Sequence, residues 1–229
     1  MLAARLSRVA VPALPRASAR TFATSSSRLA NTLLFLEHKK GEINPASLSA
    51  LTAASKLGGD VHALVVGKSD EAKAIAEKAS KASGLAKVLV SSSDAFANQL
   101  AEPIAPLIKE LVEKNGYTHV AAGHTAVGRD VIPRASALID TQQVSDIIQV
   151  DGEKQFVRPI YAGNALATVK SDDKVVVFTV RGTAFDAAKV EGGSASVEEV
   201  SAGPCPEPTK FVEEKINEST RPDLGTASR

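Results

Sequence analysis

The chain has 229 residues, which allows one or two domains, and 44% of them are hydrophobic, enough for an aliphatic core. A formal net charge of +1 argues against a nucleic-acid binder, because such proteins need clustered lysine and arginine. The single cysteine, Cys205, excludes an intrachain disulfide and a cysteine-based metal cluster. No segment approaches the roughly 18 apolar residues of a membrane-spanning helix, so we expect no membrane insertion.

The first 36 residues differ in charge from the rest of the chain. They contain five arginines and no acidic residue, with apolar residues spaced for one face of a helix. This pattern is typical of a mitochondrial presequence, which we predict over residues 1–28. The alternative is a disordered basic arm that binds nucleic acid, and the absence of lysine and the interleaved aliphatic residues argue against it.

Strand and helix patterns alternate from residue 32 to residue 139. Aliphatic runs predict four buried strands, at residues 32–36, 61–66, 87–90 and 119–122. Each is followed by a predicted helix, at residues 45–57, 70–82, 95–114 and 128–139. This alternation predicts an α/β fold that is doubly wound, with a mainly parallel sheet covered by helices on both faces.

Prolines and capping residues mark where these helices begin and end. Asn44 and Pro45 predict an N-cap followed by proline at the first helical position, and Gly58 predicts a left-handed end. Pro103 and Pro106 predict a bend or break in the third helix. Pro133 fits the fourth helix only if it lies in the first turn.

After residue 150 the pattern changes to short strands joined by turns. Residues 155–162, 165–170 and 175–180 predict a C-terminal antiparallel β-meander, with Gly163 and Asn164 as a two-residue hairpin turn. Pro159 predicts that the first of these strands lies at an edge or contains a bulge. We therefore assign residues 31–190 to one N-terminal α/β domain. Residues 191–229, rich in glycine, serine and proline, are predicted to be a linker.

The loop from Gly123 to Gly128 follows a strand and opens a helix, as phosphate-binding loops do. Arg129 and Asp130 stand where such a loop needs lysine and serine or threonine, and the Asp130 carboxylate would repel a phosphate. The segment is therefore interpreted as a strand-to-helix turn, or as a nucleotide-type loop put to another use.

Catalytic and metal-binding residues are not predicted. The four histidines show no metal-ligand spacing, and three of them lie in or at the end of predicted strands, where structural roles are expected. Cys205 has no histidine or helix arranged around it, so no nucleophile is predicted.

Polar side chains within the predicted meander indicate a contact surface. A guanidinium in or beside a strand must be paired or must meet a partner. We predict a subunit interface formed by Arg158, Tyr161, Asn164, Arg181 and Phe185.

Three segments carry a resemblance to a known family. Residues 144–148 (VSDII), 156–165 (FVRPIYAGNA) and 180–188 (VRGTAFDAA) resemble the N-terminal domain of electron-transfer flavoprotein α subunits. Leu57-Gly58-Gly59 and Pro133-Arg134 match as well, and the likeness covers about residues 31–229.

The resemblance implies a heterodimer with a β subunit in the mitochondrial matrix. It implies transfer of electrons from acyl-CoA dehydrogenases of fatty-acid β-oxidation, and from other dehydrogenases, to the membrane-bound ubiquinone oxidoreductase. In the family FAD lies mainly in a C-terminal domain of α with a Gly-Gly-Arg-Gly run, which this sequence lacks. We expect this chain to end before that domain, to bind no FAD by itself and to act as a docking platform for β.

The alternative function is that of a protein resembling adenine-nucleotide α-hydrolases, which share the βαβ pattern and a glycine loop. The resemblance also implies that the nucleotide-binding version of this domain belongs to the β subunit. A third interpretation is a fragment that is unstable alone.

Overall fold

The computed structural model describes residues 30–201, 203, 209 and 211–215. The predicted presequence, residues 1–28, lies outside these residues, as do Cys205 and most of the predicted linker. Within the described residues, no helix combines the length and the apolar character needed to cross a membrane.

The described residues form twelve β-strands and four α-helices. In chain order the strands are β1 (Thr32–Phe35), β2 (His38–Lys39), β3 (Glu42–Ile43), β4 (Val61–Gly67), β5 (Lys87–Ser92), β6 (His119–Gly123), β7 (Gln143–Ile147), β8 (Gln149–Gly152), β9 (Gln155–Ile160), β10 (Ala165–Lys170), β11 (Val176–Val180) and β12 (Ser196–Glu199). The helices are α1 (Pro45–Ser55), α2 (Ser69–Ser80), α3 (Ala101–Asn115) and α4 (Ala126–Ile139).

Seven of these strands form one sheet in the order β12-β5-β4-β1-β6-β11-β7, and every pairing between neighbours is parallel. The chain runs from β1 through β4 to β5 on one side, and then returns to place β6 on the other side of β1. The doubly wound prediction is confirmed. The reversal between β1 and β6 is a topological switch point, where open α/β sheets place ligands at the carboxyl ends of the strands.

Two apolar layers cover the two faces of this sheet. Leu34 of β1 packs in the layer that includes residues of α1 and α2. Its neighbours Leu33 and Phe35 point to the opposite face and pack in the layer that includes residues of α3 and α4. Consecutive residues of β1 are thus buried on both sides, which explains its continuous run of apolar residues.

The helix boundaries confirm some of the predictions from prolines and caps and correct another. The Asn44 side chain accepts a hydrogen bond from the Ala46 amide at 3.0 Å, and Gly58 has φ +80°, both as predicted. Helix α3 begins only at Ala101. Helix α4 is capped by Thr125 and begins two residues earlier than predicted. Pro133 lies inside this helix, beyond its first turn, so the expectation that proline fits only in the first turn was wrong.

The antiparallel region consists of β8, β9 and β10, with β9 in the centre. The pairing of β9 with β10 confirms two strands of the predicted meander. The third predicted strand forms as β11, but its predicted place in the meander was wrong, because β11 joins the parallel sheet between β6 and β7. All five residues of β11 are buried, as expected for a central parallel strand, whereas β10 alternates between half-buried and exposed residues.

Of the two alternatives predicted from Pro159, the edge strand was wrong, since β9 is a central strand. The pairing of β8 with β9 has a register shift, but it lies between Val150 and Gly152, away from Pro159. The Val157 carbonyl accepts a hydrogen bond from the Ile148 amide at 2.8 Å, so Val157 directs its backbone groups toward β8. Pro159 is two residues further on and directs its nitrogen to the same side, beyond the last pair of β8 with β9. A proline there removes no ladder hydrogen bond.

The parallel sheet extends into the predicted linker. Residues 196–199 form β12, which pairs with β5, so the α/β domain continues past residue 190. Gly192 has φ +92°, and a Cβ on Gly193 would lie 2.1 Å from the Ala82 carbonyl oxygen. The glycines that suggested a flexible linker therefore form a closely packed turn that returns the chain to the sheet.

Candidate functional site

A crevice lies at the switch point, beside the carboxyl ends of β1 and β6. It has a volume of about 930 Å³ and is lined by the β2–β3 hairpin, the start of α1, the loop after β6 and residues 181–183. This volume is in the range of small-molecule pockets, roughly 300–1,000 Å³. The shape alone would suit a nucleotide.

A carboxylate side chain of this chain already lies at the amino end of α4, beside the crevice. The Thr125 hydroxyl donates a short hydrogen bond to the Glu37 carboxylate and accepts one from the Gly128 amide at 3.0 Å. A negative charge at a helix amino end is stabilised by the helix dipole and by free amide groups. Glu37 thus provides the negative charge that a nucleotide phosphate would bring to such a loop.

His124 follows β6 and faces the crevice. Its Nδ1 lies 3.0 Å from the Thr179 hydroxyl, which accepts a hydrogen bond from the Asp146 amide at 3.0 Å. Burial lowers the pKa of His124, and nearby arginines, among them Arg158 and Arg181, lower it further against the opposing charge of Asp146. The imidazole is therefore expected to be neutral at neutral pH.

Arg181 is paired within the chain. Its Nε donates to one Asp146 carboxylate oxygen at 3.0 Å, and a terminal guanidinium nitrogen contacts the other oxygen. Asp146 has φ +60°, and the register between β11 and β7 shifts between Phe178 and Val180. This irregular backbone places the carboxylate against the guanidinium. The bidentate geometry is the strong form of this ion pair.

The connection between β9 and β10 exposes a large apolar side chain. We call this region the hairpin surface and define it as residues 161–164 together with Arg158 and Leu166. The Tyr161 side chain is 78% exposed and Leu166 is 65% exposed. Tyr161 and Ala162 have φ of 51° and 54°, values that non-glycine residues rarely adopt.

Asn164 holds this turn together. Its backbone and side-chain amides both donate to the Tyr161 carbonyl, at 3.1 Å and 2.9 Å. The connection therefore has four residues and corrects the predicted two-residue turn, since β9 ends at Ile160 where the left-handed residues begin. The turn holds the Tyr161 ring out into solvent.

A cavity of about 510 Å³ lies at the base of the hairpin and brings together Arg158, Tyr161, Arg181 and Asp146. Asn164 lies in the adjoining turn. Three of the five predicted interface residues therefore line this cavity, and a fourth lies beside it. Phe185 does not belong to it, because its side chain is 8% exposed, packs in the core and lies under the Lys56 ammonium at 4.9 Å. Its role as a contact residue is corrected to a role in packing.

Comparisons with known proteins identify the family of this chain. Residues 32–204 match the sequence model of the electron transfer flavoprotein domain. The chain belongs to the electron transfer flavoprotein domain family. The resemblance noted in the sequence is confirmed, and the hairpin surface and the crevice are features of a member of this family.

Curated relatives are named as α subunits. A probable mitochondrial electron transfer flavoprotein subunit alpha of Cryptococcus neoformans var. grubii is 46% identical over 210 residues, 90% of this chain and 61% of the relative. The electron transfer flavoprotein subunit alpha of Pseudomonas aeruginosa is 47% identical over 195 residues, 85% of this chain and 62% of the relative. A probable mitochondrial α subunit of Caenorhabditis elegans is 40% identical over 205 residues, 89% and 61%. The chain spans about three fifths of these relatives.

The other histidines of this family member have structural partners. His38 Nε2 lies 2.7 Å from the Val66 carbonyl, and His119 Nε2 lies 2.6 Å from the Glu153 carbonyl. His62 Nδ1 lies 2.7 Å from the Tyr117 hydroxyl, and burial raises the pKa of Tyr117 to about 12. The described residues contain no group of three histidine, cysteine or acidic side chains that could hold a metal ion.

Glu37, Asp146 and Thr179 contribute to the site but were not predicted as site residues. Thr179 could have been noticed, because it is a polar residue inside an otherwise aliphatic buried strand. Glu37 carries no such signal, since its partner Thr125 is 88 positions away in the sequence.

Proposed function

We propose that this chain is the N-terminal α/β part of the α subunit of a mitochondrial electron transfer flavoprotein, and that it docks the β subunit of the heterodimer. The complete protein would carry electrons in the matrix from acyl-CoA and other dehydrogenases to the ubiquinone oxidoreductase. The names of the relatives support the α-subunit assignment. The arginine-rich, acid-free start of the sequence supports import into mitochondria.

The observation that carries the docking role is the exposed Tyr161 in a strained turn. Two successive non-glycine residues in left-handed conformations cost about 1–3 kcal/mol each, and such strain clusters at functional positions. Tyrosine is also among the residue types most enriched at the centres of protein interfaces. A turn that keeps this ring 78% exposed is better explained by a partner than by folding.

We further propose that FAD is held by a C-terminal domain of the complete subunit and not by residues 31–190. A dinucleotide needs donors and a positive or neutral environment for its pyrophosphate. At the crevice the Glu37 carboxylate lies at the amino end of α4, and Asp130 is exposed in the same helix. The cavity volume is the one observation that favours the alternative, an adenine-nucleotide-binding protein.

Co-expression of this chain with the β subunit of the same organism tests the docking role. Size-exclusion chromatography and a titration should give a 1:1 complex, and Tyr161→Ala should weaken its Kd by roughly tenfold or more, as removal of an interface tyrosine does. Val197→Ala is the matched control. Val197 is also exposed and apolar, but it lies on β12, at the opposite end of the seven-stranded sheet.

A Tyr161→Ala variant that binds β as tightly as the unmodified chain would contradict the proposed surface. Absence of any complex would contradict the function. The same preparations test the flavin proposal: the chain alone, incubated with FAD and desalted, should show no flavin absorbance, and stoichiometric retention of flavin would overturn it.

A further inference from the structure

Arg158 and Arg181 line the same cavity at the base of the hairpin but differ in their partners. Arg181 has a bidentate carboxylate partner in Asp146. The Nε of Arg158 is buried and has no hydrogen-bond acceptor among the residues that the structure describes. A buried donor without an acceptor is unfavourable, and more so when it is charged, so an acceptor supplied by a partner would stabilise this arrangement.

The direction of the Arg158 side chain follows from the strand pairing. Arg158 is two residues from Phe156 on β9, so both side chains lie on the face that turns toward the parallel sheet. The guanidinium therefore lies between the small sheet and the ends of β7 and β11, where Asp146 and Arg181 are found. A partner that covers the hairpin surface can reach it through the open side of this cavity.

The charges around the cavity specify the chemistry of the missing group. Its lining has two guanidinium groups and one carboxylate, a net charge of +1 from +2 and −1. The Asp146 carboxylate accepts from Arg181, and no hydrogen bond joins it to the Arg158 Nε in the part of the chain that the structure describes. Pro159 and Ile160 form an apolar wall, which strengthens an ion pair that is shielded from water.

We propose that Arg158 binds the carboxylate of an aspartate or glutamate side chain of the β subunit, inserted into this cavity when the two subunits dock. The inference rests on the proposed function and specifies the partner chemistry of the same surface. The planar guanidinium fork matches a carboxylate with two parallel hydrogen bonds, so its replacement by lysine is not conservative.

Affinity measurements test the ion pair. Arg158→Met keeps most of the side-chain stem and removes the donors, so the Kd for β should rise by roughly 10- to 100-fold, the range for hydrogen bonds to charged groups. Arg158→Lys should restore part of the loss. Lys170→Met, which removes an exposed charge from the far end of β10, should change Kd less than about twofold. Added NaCl should weaken the unmodified complex more than the Arg158→Met complex.

Zero-length crosslinking identifies the group that meets Arg158. A carbodiimide couples an amine to a carboxylate in contact with it, so the Arg158→Lys variant in complex with β should give a crosslink from position 158 to an aspartate or glutamate of β. The Arg158→Met complex should lack this crosslink. Calorimetry of the chain alone with inorganic phosphate tests for a free-anion site, and we expect no binding.

The outcomes separate this inference from the function on which it rests. If the unmodified chain does not bind β, both are overturned. If it binds β and Arg158→Met has the same Kd, only the carboxylate pairing is overturned. A crosslink to another part of this chain, or tight binding of phosphate by the chain alone, would also overturn it.

Discussion

The crevice and the hairpin surface differ in whether their charged groups have partners within the chain. The crevice is the larger cavity and lies where α/β folds bind ligands, yet its anion-binding helix end is occupied by Glu37 and its arginine, Arg181, is paired with Asp146. The hairpin surface borders a smaller cavity, yet it has a strained turn, an exposed Tyr161 and an Arg158 whose Nε has no acceptor among the described residues. The proposed contact surface therefore rests on unsatisfied and exposed groups and not on the size of a cavity.

The largest expected effect concerns the attachment of the small sheet that carries the hairpin surface. Phe156 of β9 is fully buried against Phe178 of β11, with ring centroids 4.9 Å apart. Phe156→Ala should lower the free energy of unfolding by about 3–5 kcal/mol, because it leaves a cavity and removes an aromatic contact. Urea denaturation followed by circular dichroism measures this loss, and binding to β should weaken as well.

Leu166→Ala is the matched control on the same sheet. Leu166 lies on the opposite face from Phe156 and is 65% exposed, so its replacement should change stability by less than about 0.5 kcal/mol. It should nevertheless weaken binding to β. If Leu166→Ala destabilised the fold as much as Phe156→Ala, the assignment of Leu166 to an exposed face that does not pack against the core would be wrong.

The next effect concerns the arginine that already has a partner. Asp146→Asn keeps a residue that tolerates the left-handed conformation but loses the charge, and should cost about 1 kcal/mol, since Arg181 is 42% exposed. Asp146→Ala loses the charge and also favours another backbone conformation, which adds about 1–2 kcal/mol. Urea denaturation of the two variants measures the difference. Equal losses of stability in the two variants would show that alanine adopts the left-handed conformation at position 146 without an added cost.

The fold was largely predictable because its strands are continuous apolar runs and its helices have clear caps. Local pattern could not decide the place of β11, since a mostly apolar strand fits both a parallel sheet and a meander, and proximity in sequence favoured the meander. Local pattern also failed at Gly192 and Gly193, which were assigned to a linker. They form a turn because the chain returns to the sheet and pairs β12 with β5. In both cases the structure depends on strand pairing between segments that are far apart in the sequence.

The site was predictable in its residue types and not in its arrangement. Arg158, Tyr161, Asn164 and Arg181 stand out because they are polar or exposed residues within apolar runs. The pairing of Arg181 with Asp146 depends on the irregular register between β11 and β7, which no local pattern reveals. Phe185 could not be distinguished from a contact residue by sequence, because core and interface both favour aromatic side chains.

The smallest expected effect concerns the crevice at the switch point, where Glu37 lies at the amino end of α4. Glu37→Gln keeps a hydrogen-bonding side chain beside Thr125 but removes the negative charge at the amino end of α4. It should lower the free energy of unfolding by about 0.3–1 kcal/mol, the usual contribution of a charge to the helix dipole. Urea denaturation measures this change. If the carboxylate is what closes the crevice, calorimetry should also detect AMP binding to this variant and not to the unmodified chain.

Glu42→Gln is the matched control, because Glu42 lines the same crevice but its side chain is 79% exposed and pairs with Lys78. It removes the same charge without touching α4, so it should leave both stability and AMP binding unchanged. AMP binding by the unmodified chain would support the adenine-nucleotide alternative and reverse the comparison of the two regions. AMP binding by neither variant would contradict a role of the Glu37 charge in excluding AMP from the crevice.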